Sequence, residues 1–193
     1  MSRIFCLVGK SGSGKDTMYT QIMALGLPHL RPVIPCTTRP RRINEADGQS
    51  YHFVSPEELA RYESAGQIIE KREYMTTQGL WTYFTPRFHL TEESDRLLIT
   101  TLEGVHALIA LYGSPQVQVI YLYTNDRTRL LRCIERESRE ETPDYTEVCR
   151  RFLADQEDFS AARLKQIPHL HSIDTGNSLA LCLEQWQALY QKG

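Results

Sequence analysis

The stretch Gly9-Lys10-Ser11-Gly12-Ser13-Gly14-Lys15-Asp16-Thr17 has the residue types and spacing to hold a polyphosphate. Glycines let a backbone wrap close to an anion with its N–H groups pointing inward. A helix beginning at the end of the loop adds its positive dipole end. Lys15 can reach the terminal phosphates as a point charge, exposed until they arrive. In such a loop a hydroxyl residue follows the lysine and meets Mg²⁺. Here Asp16 follows it and Thr17 comes next. Two readings stay open for Asp16: it turns away from the phosphates, or it acts through Mg²⁺-bound water. Thr17 is then the nearest hydroxyl. The reading is nucleotide binding, with ATP and Mg²⁺ as ligands.

The elements needed to position this loop are present. Ile4-Phe5-Cys6-Leu7-Val8 is a short apolar run that reads as a buried strand. Behind the loop, Met18, Ile22 and Leu25 recur at helical spacing. Further on, Arg96–Thr101 and Val117–Tyr123 read as core strands. A helix follows the first of them, with Val105, Leu108, Ile109 and Tyr112 on one face and Gly113 as its stop. Leu130, Leu131 and Ile134 give the apolar face of another helix, and Thr142-Pro143 starts one that runs to about Lys165. Ile173 marks a last strand, and Leu179 to Tyr190 a closing helix. Alternation of strands and helices predicts an α/β fold, a parallel sheet with helices on both faces.

The region from about 33 to 87 differs. Val33–Thr37 is extended, with Pro35 confining it to an edge or an irregular strand. Tyr51–Val54, Ile68–Glu70 and Trp81–Thr85 read as strands, with Gly79 in the last connection and a turn over 44–48. Ser55-Pro56-Glu57-Glu58 has the form of a helix start with a capping box. The expectation is one domain, its core carrying an inserted small antiparallel lobe and an arginine-rich lid at about 132–147.

Composition sets outer bounds. The chain has 193 residues, 41% apolar and 24% charged, enough for one sizeable core. Net charge is −2, so the surface as a whole is not a nucleic-acid footprint. No apolar run is long enough for a membrane span, and no signal peptide is read at the start. Five scattered cysteines without a CxxC pair argue against structural zinc and for a reducing, cytoplasmic setting. His169 and His171 read as a loop before a strand, not a metal pair. Oligomeric state is not legible.

In the lobe, Arg39, Arg41 and Arg42 lie within four positions, and Tyr51, Tyr74 and Tyr83 follow. Guanidinium groups and tyrosine hydroxyls suit a phosphate monoester. Glu70 ends an apolar strand and can accept hydrogen bonds from the N–H groups of a base. The order Thr37-Thr38-Arg39-Pro40-Arg41-Arg42, then Asp47-Gly48, then Tyr51-His52-Phe53-Val54-Ser55 resembles the guanylate kinase family. The phosphate loop is similar too. The resemblance covers most of the chain, from about Arg3 to Phe159.

That resemblance implies roles residue by residue. Arg39, Arg42 and Tyr51 would bind the phosphate of a nucleoside monophosphate. Glu70 would read the Watson–Crick edge of guanine, and Tyr83 and Thr85 would contact phosphate and base. Thr101 stands where the family carries an acidic residue, Pro35 where it carries serine, and Phe84 where it carries glycine. Arg132, Arg136 and Arg139, at helical spacing, and Arg151 beside Arg150 would hold the transferring phosphoryl group, their individual roles open. The implied reaction transfers the γ-phosphoryl group of ATP to GMP or dGMP. Two alternatives remain at this stage: a kinase of another small phosphorylated substrate, and a catalytically silent binding module.

Overall fold

A computed structural model describes residues 2–41, 45–76, 79–90 and 94–192. In chain order the strands are β1 (Ile4–Val8), β2 (Leu30–Pro32), β3 (Cys36–Thr37), β4 (His52–Phe53), β5 (Ile68–Thr76), β6 (Gly79–Pro86), β7 (Asp95–Ile99), β8 (Val117–Tyr123) and β9 (Leu170–Asp174). The helices are α1 (Lys15–Ala24), α2 (Pro56–Ser64), α3 (Leu102–Tyr112), α4 (Asp126–Glu137), α5 (Tyr145–Asp158), α6 (Ala161–Leu164) and α7 (Leu179–Gln191).

The core is a five-stranded sheet in the order β2-β7-β1-β8-β9, with every pair parallel. β1 lies at its centre, with Ile4 opposite both Arg96 and Val117. A strand buried on both faces needs apolar residues throughout, and β1 supplies them. Ile4, Cys6 and Val8 pack into one layer with Leu98, Val105, Leu108 and Val119. Phe5 and Leu7 pack into the other with Met18, Ile22, Ile120 and Trp186. Helix α3 covers the first face, and α1 and α7 the second. Each fully buried leucine or isoleucine contributes about 1.5–3 kcal/mol of transfer free energy.

A second sheet, β4-β3-β6-β5, forms the expected lobe. Its β3–β6 and β5–β6 pairs are antiparallel, but β3 and β4 run parallel, so the lobe is mixed and not purely antiparallel. Residues 38–51 connect β3 to β4, and a connection of that length permits the parallel pairing. Gly79 is the first residue of β6, opposite Thr76, and not part of a long connection.

Four other expectations need correction. Leu30–Pro32 joins the edge of the core sheet as β2, so Val33 to Pro35 is the link between the two sheets. Helix α5 starts at Tyr145 under an Asp144 cap and stops at Asp158. Phe159 turns into the core there, and Ser160 begins the separate α6. Helix α4 ends at Glu137, so Arg139 lies past the helix. Leu131 and Ile134 are exposed on α4, while Arg129 and Cys133 are buried.

The capping box of α2 is formed. Ser55 accepts from the Glu58 N–H, and the Glu58 carboxylate accepts from the Ser55 N–H at 2.7 Å. Because α2 buries no residue fully, its caps carry much of its stability. Ser55→Ala is expected to destabilise the protein by about 1 kcal/mol in denaturant melts. An effect under a few tenths would mean that the helix is held by packing instead.

Candidate functional site

The loop 9–14 runs from the end of β1 into α1 as expected. It is bent so tightly that two of its positions admit no side chain. A β-carbon on Gly9 (φ 154°) would stand 2.3 Å from the Leu122 carbonyl oxygen. One on Gly12 (φ 75°) would stand 2.5 Å from the Arg129 carbonyl oxygen. Both glycines therefore lie directly on β8 and α4.

The carbonyls of residues 9–13 all accept hydrogen bonds from side chains. Lys15 Nζ donates to the oxygens of Gly9 at 2.7 Å and Lys10 at 3.1 Å. Arg129 Nη1 donates to Ser11 O at 2.9 Å, and Arg132 Nη1 to Gly12 O at 3.3 Å. Thr175 Oγ1 donates to Ser13 O at 2.9 Å. Among the described residues no acceptor meets the N–H groups of Gly12, Gly14, Lys15 or Asp16. A run of outward carbonyls and unmet amides at a helix N-terminus can hold an anion.

Lys15 is half-buried, not exposed, with its ammonium folded onto the loop. Burial pulls its pKa below the usual lysine value, opposed by the fields of Asp16 and Asp155 and reinforced by Arg136. Asp16 and Thr17 are both exposed in the first turn of α1. The charge of Asp16 raises the pKa of Lys15 and that of Tyr51 of the lobe, so Asp16 stands near both.

The lobe brings Arg39, Tyr51 and Tyr83 together. Arg39 is 5% exposed and grips Glu45 with two hydrogen bonds of 2.8 Å. Its guanidinium lies 5.7 Å from the Tyr51 ring centre and 5.3 Å from that of Phe53. The Tyr51 and Tyr83 rings meet edge-on at 5.5 Å. Arg42 lies outside the described residues. Glu70 accepts from Thr85 Oγ1 at 2.8 Å and pairs with Arg72 at 3.3 Å. Thr101 caps α3 by accepting from the Gly104 N–H at 3.3 Å, so its hydroxyl serves the helix.

The basic lid residues divide. Arg132 reaches the loop, and its Nη2 also donates to Thr175 O at 3.3 Å. Arg136 is exposed, close enough to lower the Lys15 pKa, and meets no carboxylate among the described residues. Arg139 pairs with Glu135 at 2.7 Å, and Arg151 with Glu147 at 3.4 Å and Glu137 at 3.8 Å. Sequence reading misses Arg129, which is 1% exposed and bonded to the loop, and Asp155, whose carboxylate accepts from the Ser11 N–H at 2.7 Å. A trace of Arg129 is present in the sequence: Arg129, Arg132 and Arg136 share one helical stripe. Among the described residues no group of histidines, cysteines and carboxylates could hold a metal ion, and no helix is long and apolar enough to cross a membrane.

The architecture is a parallel sheet with a tight glycine loop after its first strand, whose unmet amides can hold an anion, and a second, smaller sheet that carries a basic and aromatic cluster. The guanylate kinase family model matches residues 1–160, and the chain belongs to that family. Guanylate kinase of Frankia casuarinae is 37% identical over 112 residues, covering 58% of this chain and 55% of that protein. That of Thermosynechococcus vestitus is 35% identical over 119 residues, covering 62% and 57%. The chain spans about half the length of the curated relatives it matches. The crystal structure of guanylate kinase from Anaplasma phagocytophilum shares the fold with a TM-score of 0.66 at 20% identity, covering 99% of this chain and 86% of that one.

Burial, and then the nearby Tyr83, push the Tyr51 hydroxyl up to about 12 from 10.0. A raised folded value adds stability that is full below about pH 10 and is lost as pH rises through about 12. Tyrosinate absorbance titration should show one late component that Tyr51→Phe removes, together with part of the alkaline loss of stability. A Tyr51→Phe variant that loses its absorbance near pH 10 and keeps the late component would mean that the hydroxyl is freely solvated.

Proposed function

We propose that this protein is a nucleoside monophosphate kinase that transfers the γ-phosphoryl group of ATP to GMP or dGMP. The observation that carries the reading is the pairing of a loop with unmet amides and an arginine–tyrosine cluster, each served by a different sheet. The loop with Lys15 offers one anion site, and Arg39 with Tyr51 and Tyr83 offers the other. Asp16 acts electrostatically on a residue of each. Family membership and the names of the curated relatives support the same assignment.

In this reading residues 9–17 bind ATP. The amides of Gly12, Gly14, Lys15 and Asp16 face its phosphates, and Lys15 leaves the Gly9 and Lys10 carbonyls to meet them. Mg²⁺ arriving with the nucleotide fits the first turn of α1, where the Asp16 carboxylate and Thr17 hydroxyl are both open to solvent. It would supply neutralising charge between the β- and γ-phosphates. Thr17 would offer the ion its hydroxyl, and Asp16 would meet it through water. Arg39, Arg42 and Tyr51 hold the acceptor phosphate, with Tyr83 at the same place. Little covalent chemistry is asked of the protein, so positioning and charge neutralisation carry the rate. No general base is assigned.

Among the lid arginines, Arg136 is assigned to the moving phosphoryl group, because no carboxylate among the described residues holds it back and its charge already reaches Lys15. Arg132 assists from the loop edge. Arg139 and Arg151 are engaged with glutamates, and exposed pairs of that kind contribute little. Arg136→Ala is expected to lower kcat by about 10²-fold, while Arg139→Ala stays within about threefold. Steady-state rates that fall equally in both variants would reverse the assignment.

Glu70 is assigned to the base. Thr85 and Arg72 occupy part of its carboxylate and fix its orientation, which leaves further lone pairs for two donors. Guanine presents adjacent donors at N1 and its exocyclic amine. Adenine presents an acceptor at the ring nitrogen, and facing it would leave the carboxylate partly unpaired at about 1–3 kcal/mol. Guanine is then favoured by about ten- to a hundredfold. Thr101 and Pro35 offer no carboxylate or hydroxyl that is free for the base, so Glu70 carries most of the discrimination. An ADP-release assay over GMP, dGMP, IMP and AMP tests this on the parent and on Glu70→Gln. The parent should prefer GMP, and Glu70→Gln should lose most of that preference. A parent that favours AMP, or a Glu70→Gln variant with unchanged preference, would falsify the guanine assignment.

A further inference from the structure

We infer that Arg129 and Asp155 are positioning residues for the nucleotide loop, acting through the peptide groups of Ser11. Both sides of that residue are held. Asp155 Oδ2 accepts from the Ser11 N–H at 2.7 Å, and Arg129 Nη1 donates to the Ser11 carbonyl at 2.9 Å. The two side chains also meet each other at 3.2 Å, which closes the ring.

The arginine is held on every side. It is 1% exposed, its Nε and Nη2 donate to Asp126 Oδ1 at 3.1 and 3.0 Å, and it lies 4.4 Å from the ring centre of Phe152. A guanidinium that has lost its water must keep all of these partners, because a buried charge left unpaired is costly. One step along the loop, Lys10 Nζ donates to Gln156 Oε1 at 2.5 Å. Helices α4 and α5 therefore clasp residues 10 and 11 from the side away from the unmet amides.

A loop whose outer face is fixed in this way presents its inner amides without reorganisation when a polyphosphate arrives. Neither residue touches the nucleotide in this arrangement. Each acts through the orientation of the Ser11 peptide groups, so the effect falls on ATP and not on the acceptor. The inference rests on the reading of residues 9–17 as the ATP site.

The test uses the full chain. ATP and ADP binding are measured by calorimetry, KM for ATP and for GMP by steady-state kinetics, and folding by thermal unfolding. Asp155→Ala should weaken ATP tenfold or more while the acceptor KM stays within threefold. Asp155→Asn keeps an oxygen for the Ser11 N–H and should return ATP affinity to within threefold of the parent. Arg129→Lys keeps the charge but cannot reach Ser11, Asp126 and Asp155 together, and should weaken ATP three- to tenfold. If Asp155→Ala does not fold, the Asn and Lys variants decide. ATP affinity within twofold of the parent in Asp155→Ala, or in Arg129→Lys where only that variant folds, overturns the inference. So does an equal loss for ATP and acceptor, which marks a merely structural role. A parent that binds no ATP overturns the ATP reading itself, and the inference with it.

Discussion

Every carbonyl from Gly9 to Ser13 accepts a hydrogen bond from Lys15, Arg129, Arg132 or Thr175. That outward orientation is the constraint on which the site depends. A peptide that gives its oxygen to one side gives its N–H to the other, so Arg129 on the Ser11 carbonyl and Thr175 on the Ser13 carbonyl leave the Gly12 and Gly14 amides unmet on the opposite face. The donors come from three places: the start of α1, the helix α4, and the turn after β9. The central sheet must bring these together before the loop can take its shape. The contact of Gly9 with the Leu122 carbonyl shows how little freedom remains, since the loop rests on the last turns of β8 itself.

The parts of the fold that are legible in sequence are those governed by burial on two faces. Ile4 to Val8 is a continuous apolar run and Val117 to Tyr123 is broken only by Gln118, and each is a strand over the same residues. Leu30–Pro32 is not legible, because three residues that include an arginine and a proline carry no period. It becomes a strand only because β7 offers it an edge. Helix α4 misleads for the opposite reason. Its leucines suggest an apolar face, yet the face turned inward must satisfy the Ser11 carbonyl, and Arg129 takes it. Tertiary demand overrides pattern there, as it does where Phe159 leaves the helix for the core.

The candidate site divides in the same way. The glycines and Lys15 are legible, because a loop that wraps an anion leaves its signature in consecutive residues. Arg39, Tyr51 and Glu70 are legible as types, but their neighbours are not. Glu45, which holds Arg39, and Thr85, which orients Glu70, are ordinary residues until the lobe brings them into place. Residues that act on other residues leave little trace in a single sequence. Arg129 and Asp155 are twenty-six positions apart and meet only because α4 and α5 pack side by side.

The two sites are also built by different physics. The loop site is a backbone device, and most of its donors are peptide groups that no substitution removes directly. The lobe site is made of side chains held by other side chains, with a nearly buried guanidinium set by one carboxylate and two aromatic rings. Such a site can change its ligand by exchanging a few residues, whereas the loop can only keep or lose its anion. Strand β5 joins the two regimes. At its near end Glu70 lies against the core, where a β-carbon on Gly104 of α3 would stand 3.5 Å from its Cγ. Toward its far end Tyr74 and Met75 are exposed, at 41% and 80%. The Glu70 end of the lobe is therefore seated on the core, while the outer end of β5 faces solvent, so the two ends of one strand answer to different surroundings.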